Sequence, residues 1–270
     1  MSFELEIKKI ERPIGIVVSG GRTATAFLGK NLSQVFADAA AFHEPDAVHH
    51  GRIISDIKQV VPRFGFYRGG LGKLLGRTGL RTIGESYIAG KLNDEEAARE
   101  IVAHRSRFYA RQTAKLVIES NYAFYALLPV LPRVFENYKV VAIVRDPETW
   151  IRSYLNKDDR YGSKDYLDKL GLRISPKSVG DKDIDAEWQG MKTEERLAWF
   201  WRLVYQRIAD ASDTDPNIRV FRFEDLFYGE ERESSFLDMA RFLGDFLEMK
   251  FHPQLQANLL DQIENAAPPP

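Results

Sequence analysis

The chain alternates short apolar runs with longer segments in which apolar residues recur at helical spacing. The first run, residues 14–19, reads Ile-Gly-Ile-Val-Val-Ser and predicts a buried strand. Residues 23–36 follow it with apolar positions on one helical face. Further strands are predicted at 40–43, 115–119, 139–144 and 218–223, and further helices at 94–113, 122–135 and 194–211. This alternation predicts the α/β class, with a three-layer, mostly parallel sheet flanked by helices.

Two segments interrupt this alternation. Residues 57–84 hold six basic residues, seven glycines and no acid, which predicts a flexible basic insertion near a ligand. Residues 157–191 are polar and irregular, which predicts a second lid. We expect a single domain over 1–265, followed by a disordered tail at 266–270, where Ala-Ala-Pro-Pro-Pro cannot continue a helix or strand.

Composition narrows the class of protein. The 270 residues are 44% hydrophobic and 29% charged, the balance of a soluble globular domain. A formal net charge of -1 excludes a globally basic nucleic-acid binder. Cysteine is absent, which excludes disulfides, thiolate metal sites and cysteine nucleophiles. Neither a signal peptide nor a membrane span is indicated, so a cytoplasmic protein is expected.

The loop at 19–25, Ser-Gly-Gly-Arg-Thr-Ala-Thr, joins the first strand to the first helix. Phosphate-like anions bind at such loops because free N–H groups and the positive end of the helix face the ligand. Here the glycines allow close approach, Arg22 adds positive charge, and Thr23 and Thr25 add hydroxyl donors. A glycine turn with a threonine N-cap explains the same residues. A Walker A loop is excluded because no Gly-Lys-Ser/Thr follows, which disfavours an ordinary ATP or GTP kinase.

A second candidate anion site lies where the strand 139–144 ends. Asp146 and Pro147 are explained as the cap and first residue of a helix. Arg145 and Ser153 are left without a structural explanation. Since open α/β sheets bind ligands at the carboxyl ends of their strands, both are candidate ligands of an anion.

These residues resemble a known family. Arg145 and Ser153, eight apart with Asp-Pro after the arginine, resemble the 3′-phosphate-binding segment of sulfotransferases that use 3′-phosphoadenosine 5′-phosphosulfate (PAPS). The Gly-Arg-Thr-Ala-Thr loop is similar to that family's 5′-phosphosulfate loop. Phe-Glu-Asp-Leu at 223–226 resembles the family's Tyr-Glu-Asp-Leu, and Arg-Phe-Leu-Gly at 241–244 its later Phe-Leu-Gly. The four matches come in family order and span most of the chain.

The resemblance implies a P-loop-like sulfotransferase fold and transfer of a sulfuryl group from PAPS to a hydroxyl or amine. The product would be adenosine 3′,5′-bisphosphate, and no metal is implied. Ala24 and Ala26 replace a usual Gly and Thr, and no C-terminal Arg-Lys-Gly is present, which indicates a divergent bacterial-type branch. The implied cofactor-binding residues are Gly20, Gly21, Arg22, Thr23, Ala24, Thr25, Ala26, Arg145 and Ser153.

The chemistry implied by the resemblance needs a cation and a base. Arg22 would stabilise the leaving phosphate, as positive charge does in phosphoryl transfer. Glu44 is the first candidate for the base that takes the acceptor's proton, with His43 next and Glu119 as a second site. Each also has a structural explanation: Glu44 as a surface residue before Pro45, His43 as a half-buried strand end, and the segment after Glu119 as a helix cap.

The acceptor and the oligomeric state are not indicated by the sequence. The basic segment 57–84 favours an anionic acceptor as much as it favours a solvated loop. Two other functions stay open. One is a non-catalytic nucleotide- or phosphate-binding module of the same fold, and the other is an atypical kinase.

Overall fold

The computed structural model describes residues 7–48, 52–157 and 160–251, so the predicted tail at 266–270 lies outside the described residues. Five strands form one sheet with every pairing parallel, in the order β2-β3-β1-β4-β5. The strands are β1 (Ile14–Ser19), β2 (Ala39–His43), β3 (Leu116–Ser120), β4 (Tyr138–Val144) and β5 (Ile218–Arg222). Each lies within a residue or two of its predicted position.

Helices separate the strands along the chain. The longer ones are α1 (Thr25–Asn31), α2 (Ile53–Phe64), α3 (Leu80–Ile88), α4 (Asp94–Ala110), α5 (Pro147–Lys157), α6 (Thr193–Thr214) and α7 (Arg232–Gly244). Shorter helical turns are Leu32–Gln34, Tyr67–Leu71, Gly72–Leu74, Tyr122–Ala126, Leu128–Val130, Leu131–Val134, Tyr166–Lys169, Pro176–Val179, Lys182–Glu187, Trp188–Gly190, Phe223–Phe227 and Asp245–Leu247.

The sheet is buried between two helical layers. On one face, α1 and α7 pack against it through residues such as Leu28 and Leu243. On the other face, α4 and α6 pack against it through residues such as Phe108 and Phe200. Because apolar side chains cover both faces, the strands read as continuous apolar runs and not as alternating ones. The predicted α/β class with three layers is confirmed.

Two segments differ from the irregular structure that the sequence predicts. Residues 57–84 are largely helical, since α2 continues into a π-helical turn and α3 begins at Leu80. Gly69 and Gly70 lie inside this helical run, whereas Gly65, Gly76 and Gly79 adopt positive φ angles in the turns between helices. Residues 160–191 contain four short helical turns, and Trp188 packs in the core. Whether either segment is an insertion or a lid stays a prediction.

The strand order places β1 between β3 and β4. The connections from β1 lead toward β2 and β3 on one side, whereas β4 and β5 lie on the other. Such a reversal opens a crevice at the carboxyl ends of the central strands, where α/β proteins bind ligands. The predicted anion loop after β1 and Arg145 after β4 both lie at this edge.

Candidate anion-binding site

The loop after β1 has an unusual backbone. Gly21, Arg22 and Ala24 adopt positive φ angles of 79°, 55° and 55°. Where right-handed and left-handed residues follow one another in a loop, their N–H groups turn toward one concave side. Such a concave side favours the binding of an anion. Since non-glycine residues rarely adopt this conformation, the loop is held by its surroundings.

Helices α5 and α6 hold the loop through hydrogen bonds to its backbone. The indole Nε1 of Trp150 donates to the Gly21 oxygen at 2.9 Å, and the hydroxyl of Tyr154 donates to the Gly20 oxygen at 2.9 Å. Both side chains come from α5. From α6, the Tyr205 hydroxyl accepts from the Gly20 N–H at 3.4 Å. The carbonyls of Gly20 and Gly21 are thereby bound inside the protein, and the N–H groups of the same two residues bind Tyr205 and Ser19. Backbone donors to an anion would therefore come from the residues after Gly21.

The two threonines of the loop are buried. Thr23 donates its hydroxyl to the Ser19 hydroxyl, which also accepts from the Gly21 N–H at 3.1 Å. Thr25 is 7% exposed and begins α1. Its carbonyl accepts from the Ser120 hydroxyl at 2.8 Å. Their burial shows that both help to shape the loop; a role as hydroxyl donors to an anion stays a prediction, and so does any contact from the exposed Ala26.

Arg145 joins the second predicted site to the first. Its Nη1 donates to the Arg22 carbonyl at 2.8 Å, and its Nε donates to the Thr149 hydroxyl at 3.2 Å. The guanidinium also lies over the ring of Phe223, 4.5 Å from the centroid. The residue is 4% exposed, and burial lowers its pKa from the ordinary arginine value. Among the described residues, no carboxylate forms an ion pair with it.

Arg22 carries a nitrogen donor without a hydrogen-bond partner. Its Nε is buried and has no hydrogen-bond partner within the described chain. A buried donor without a partner costs free energy, which a bound anion would recover. Together, the left-handed loop, the Arg22 guanidinium and Arg145 fit a phosphate- or sulfate-bearing ligand.

Ser153 lies on the helix that follows Arg145, and its predicted role as an anion ligand stays a prediction. Asp146 caps α5, because its carboxylate accepts from the Thr149 N–H at 3.0 Å. Ser153 is 5% exposed and lies one turn after Thr149, on the side of α5 that contacts Arg145. Glu224 accepts from the Asp146 N–H at 3.0 Å, so the Phe-Glu-Asp-Leu segment fixes the start of this helix.

The two candidate bases after β2 lie at the same sheet edge, beyond β3. Glu44 has a φ of 40°, and its N–H donates to the Ser120 carbonyl at 2.9 Å. Its carboxylate lies near Tyr122, whose pKa is raised mainly by burial. The Cα and Cβ of His43 lie close to Gly29 of α1, where an added Cβ would approach to 2.6 Å. The predicted catalytic roles of Glu44 and His43 stay proposals.

Glu119 is part of a buried ion-pair network. It is fully buried, and its two oxygens accept from Arg105 at 2.7 and 3.1 Å. Tyr109 at 2.5 Å and Asn121 at 2.9 Å complete its contacts. A base must reach the acceptor's proton, and both oxygens of Glu119 are already occupied inside the core. The predicted role of Glu119 as a second base is therefore not carried into the proposal below.

Sequence reasoning missed the residues that hold the loop. Trp150 and Tyr154 are four apart, so they lie on one side of α5 and reach adjacent carbonyls. That spacing within the Arg145 segment was a usable signal. Tyr205 comes from a distant helix, and no local pattern points to it.

Two features are absent from the described residues. No helix among them combines the length and apolarity needed to cross a membrane. No group of three or more histidine, aspartate or glutamate side chains in the same part of the chain is placed to hold a metal ion.

The chain is therefore a parallel α/β protein with a candidate anion-binding loop at the carboxyl edge of its sheet. Among solved structures, the chain is similar to a sulfotransferase domain from the curacin biosynthetic pathway, with 18% identity, 96% of this chain and 80% of that chain covered, and a TM-score of 0.47. It is also similar to the sulfotransferase domain of the Synechococcus PCC 7002 olefin synthase, with 13% identity, 97% and 91% covered, and a TM-score of 0.42. No family model matches the chain, and no curated protein matches it. The residues of the site, and not these similarities, carry the proposal that follows.

Proposed function

We propose that the protein is a sulfotransferase that moves a sulfuryl group from PAPS to a hydroxyl or amine. The observation that carries the proposal is the contact between Arg145 and the Arg22 carbonyl, since it brings two separate anion-binding motifs into one site. A ligand with phosphates at both its 3′ and 5′ ends would contact both motifs. A mononucleotide without a 3′-phosphate would use only one.

The residues of the chain have distinct roles in this proposal. PAPS, when bound, supplies the activated sulfuryl group. The loop N–H groups and Arg22 hold the 5′ side and stabilise the negative charge that develops on the leaving phosphate. Arg145 and Ser153 hold the 3′-phosphate. Glu44, or His43 beside it, takes the proton of the acceptor. The proposal requires no metal.

Calorimetric binding of adenosine 3′,5′-bisphosphate, adenosine 5′-phosphate and ATP provides the test. We expect the bisphosphate to bind most tightly. Loss of a charge-assisted phosphate contact costs about 1.5–3 kcal/mol, so Arg145→Ala should weaken binding at least about tenfold. Arg219→Ala is the matched control, because this exposed arginine lies at the opposite end of β5 and contacts Asp238 and the rings of Phe221 and Phe242. Equal binding of ATP, or unchanged affinity in Arg145→Ala, would refute the proposal.

The calorimetric experiment separates the kinase from the sulfotransferase, and a transfer assay with PAPS separates the binding module. An atypical kinase has no use for a 3′-phosphate and would favour ATP. A non-catalytic binding module would bind the bisphosphate but show no transfer from PAPS to any acceptor. Ala24 and Ala26 are the residues that favour the module, since they replace a glycine and a threonine of the resembled loop.

A further inference from the structure

The helical run 66–74, after α2, reverses the usual placement of small and large residues. Its glycines face the protein: Gly69 and Gly70 are buried. A Cβ on Gly69 would lie 2.8 Å from the Val60 carbonyl oxygen, and one on Gly70 would lie 3.2 Å from the Val61 side chain. The run therefore packs on α2 through a side that admits only glycine.

Four large apolar residues, three in this run and one directly after it, are exposed. Phe66 is 75% exposed, Tyr67 51%, Leu71 47% and Leu75 54%. Because Tyr67, Leu71 and Leu75 are four residues apart, they follow one side of the helical run. We call these four residues the apolar stripe. A helix on the surface of a soluble protein normally presents polar residues to water, so this arrangement is the reverse of the expected one.

The segment of the chain that carries the stripe is also basic. Within 57–84, Lys73 pairs with Asp46 and Arg81 with Glu85, and no acid occurs in the segment itself. Four cations of the segment form no ion pair within the described chain. They are Lys58, Arg63, Arg68 and Arg77.

We propose that the apolar stripe and these four cations dock the protein on an anionic lipid bilayer. Aromatic and aliphatic side chains insert at the boundary between headgroups and acyl chains, while arginine and lysine pair with lipid phosphates. This is peripheral binding and needs no membrane-spanning helix. The proposal is independent of the proposed sulfotransferase activity.

The side chains present favour a lipid surface over a protein partner. From 63 to 77 the sequence has no acid, amide, serine or threonine. Protein interfaces carry about one hydrogen bond per 100–200 Å² and need such groups for direction. A lipid bilayer requires only apolar side chains that insert and charge of one sign, and the segment has both.

The docking surface is fixed to the body of the protein. Asp46, in the turn after β2, accepts from Lys73 Nζ at 3.1 Å and from the Leu80 N–H at 3.0 Å. Arg105 of α4 binds the other oxygen of Asp46 at 2.9 Å. The segment is thus held at Lys73 and at Leu80, within the stripe and just after it, and docking would orient the whole molecule.

Co-sedimentation of the full chain with lipid vesicles tests the proposal. We expect binding to vesicles of phosphatidylcholine with phosphatidylglycerol, and little binding to phosphatidylcholine alone. The double variant Phe66→Ser, Leu71→Ser should weaken binding at least about tenfold. The control is Tyr166→Ser, because Tyr166 is 72% exposed but lies in a segment with acidic residues. The charge variant Lys58→Gln, Arg77→Gln should weaken binding to the anionic vesicles and reduce its dependence on salt.

Four results would overturn the proposal. The first is a wild type that does not bind anionic vesicles. The second is a Tyr166→Ser variant that loses as much binding as the stripe variant. Equal affinity for soluble polyglutamate would assign the cations to an acidic polypeptide. A wild-type dimer that the stripe variant converts to a monomer, measured by light scattering, would assign the stripe to self-association. Because the stripe is exposed, circular dichroism should show that both the stripe variant and the charge variant are folded. If the stripe variant does not fold, the charge variant tests the proposal.

Discussion

Gly21 offers a quantitative test of how the anion loop is held. Its φ is 79°, and a Cβ at this position would lie 2.7 Å from the Tyr154 hydroxyl and 3.8 Å from Cζ of the same ring. Gly21→Ala therefore carries two separate penalties. The left-handed conformation costs an L-residue about 1–2 kcal/mol. Crowding against a buried side chain costs about 1–3 kcal/mol more.

The two penalties separate in a double-mutant cycle with Tyr154→Phe. By itself, Tyr154→Phe leaves the Gly20 carbonyl without its donor and should cost about 1–3 kcal/mol. In the Phe background the nearest atom to the new Cβ is Cζ at 3.8 Å, an ordinary contact. The crowding penalty of Gly21→Ala should then disappear. We expect the double variant to be about 1–3 kcal/mol more stable than additivity requires.

Chemical denaturation of the four proteins measures this coupling, and Gly180→Ala supplies the control. Gly180 has a φ of 76° and no atom within 4 Å of an added Cβ, so its substitution reports the backbone penalty alone. Gly21→Ala in the Phe background should match it. Additive effects within about 0.5 kcal/mol would refute the idea that Tyr154 fixes the loop sterically.

Two further predictions concern titration and transfer. Burial, and then Arg105, lower the pKa of His104 to about 3, so the folded state binds its proton less readily than the unfolded state. The free energy of unfolding should fall by up to about 1.4 kcal/mol per pH unit from about pH 6.5 to 3, and His104→Gln should flatten urea-unfolding profiles over this range. Glu44→Gln should lower transfer from PAPS about a hundredfold or more with bisphosphate affinity unchanged, and His43→Gln much less. The reverse order would name His43 as the base.

Most of the fold could be predicted because the apolar pattern is strong. Buried parallel strands produce uninterrupted apolar runs, and β1 and β4 are of this kind. Arg145 could be singled out because apolar packing does not explain a charged residue directly after such a run. Its contact with the Arg22 carbonyl was not predictable, since the two are 123 residues apart and meet only through sheet order.

Two tertiary arrangements could not be predicted from the sequence, for different physical reasons. Glycine-rich sequence favours a loop in isolation, but Gly69 and Gly70 serve a helical run that packs too closely for a Cβ. Glu119 resembles a base because it ends an apolar run at the ligand-binding edge. Its partner Arg105 lies on α4, fourteen residues earlier in the chain. No spacing rule links a residue of a helix to a residue of the strand that follows it. Tertiary ion pairs of this kind leave no local signal.

Arg105 and Arg145 show how buried cations divide between structure and ligand binding. Burial opposes the charge of Arg105, but Asp46 and Glu119 outweigh it and raise the pKa of Arg105 above its ordinary value. For Arg145 burial prevails and lowers the pKa, because the described chain places no carboxylate in contact with it. Breaking the first pairing should destabilise the fold, since it leaves a buried charge uncompensated. Arg145 has no such carboxylate partner, and in the proposed function a bound anion takes that place, held also by the loop N–H groups and the Arg22 donor.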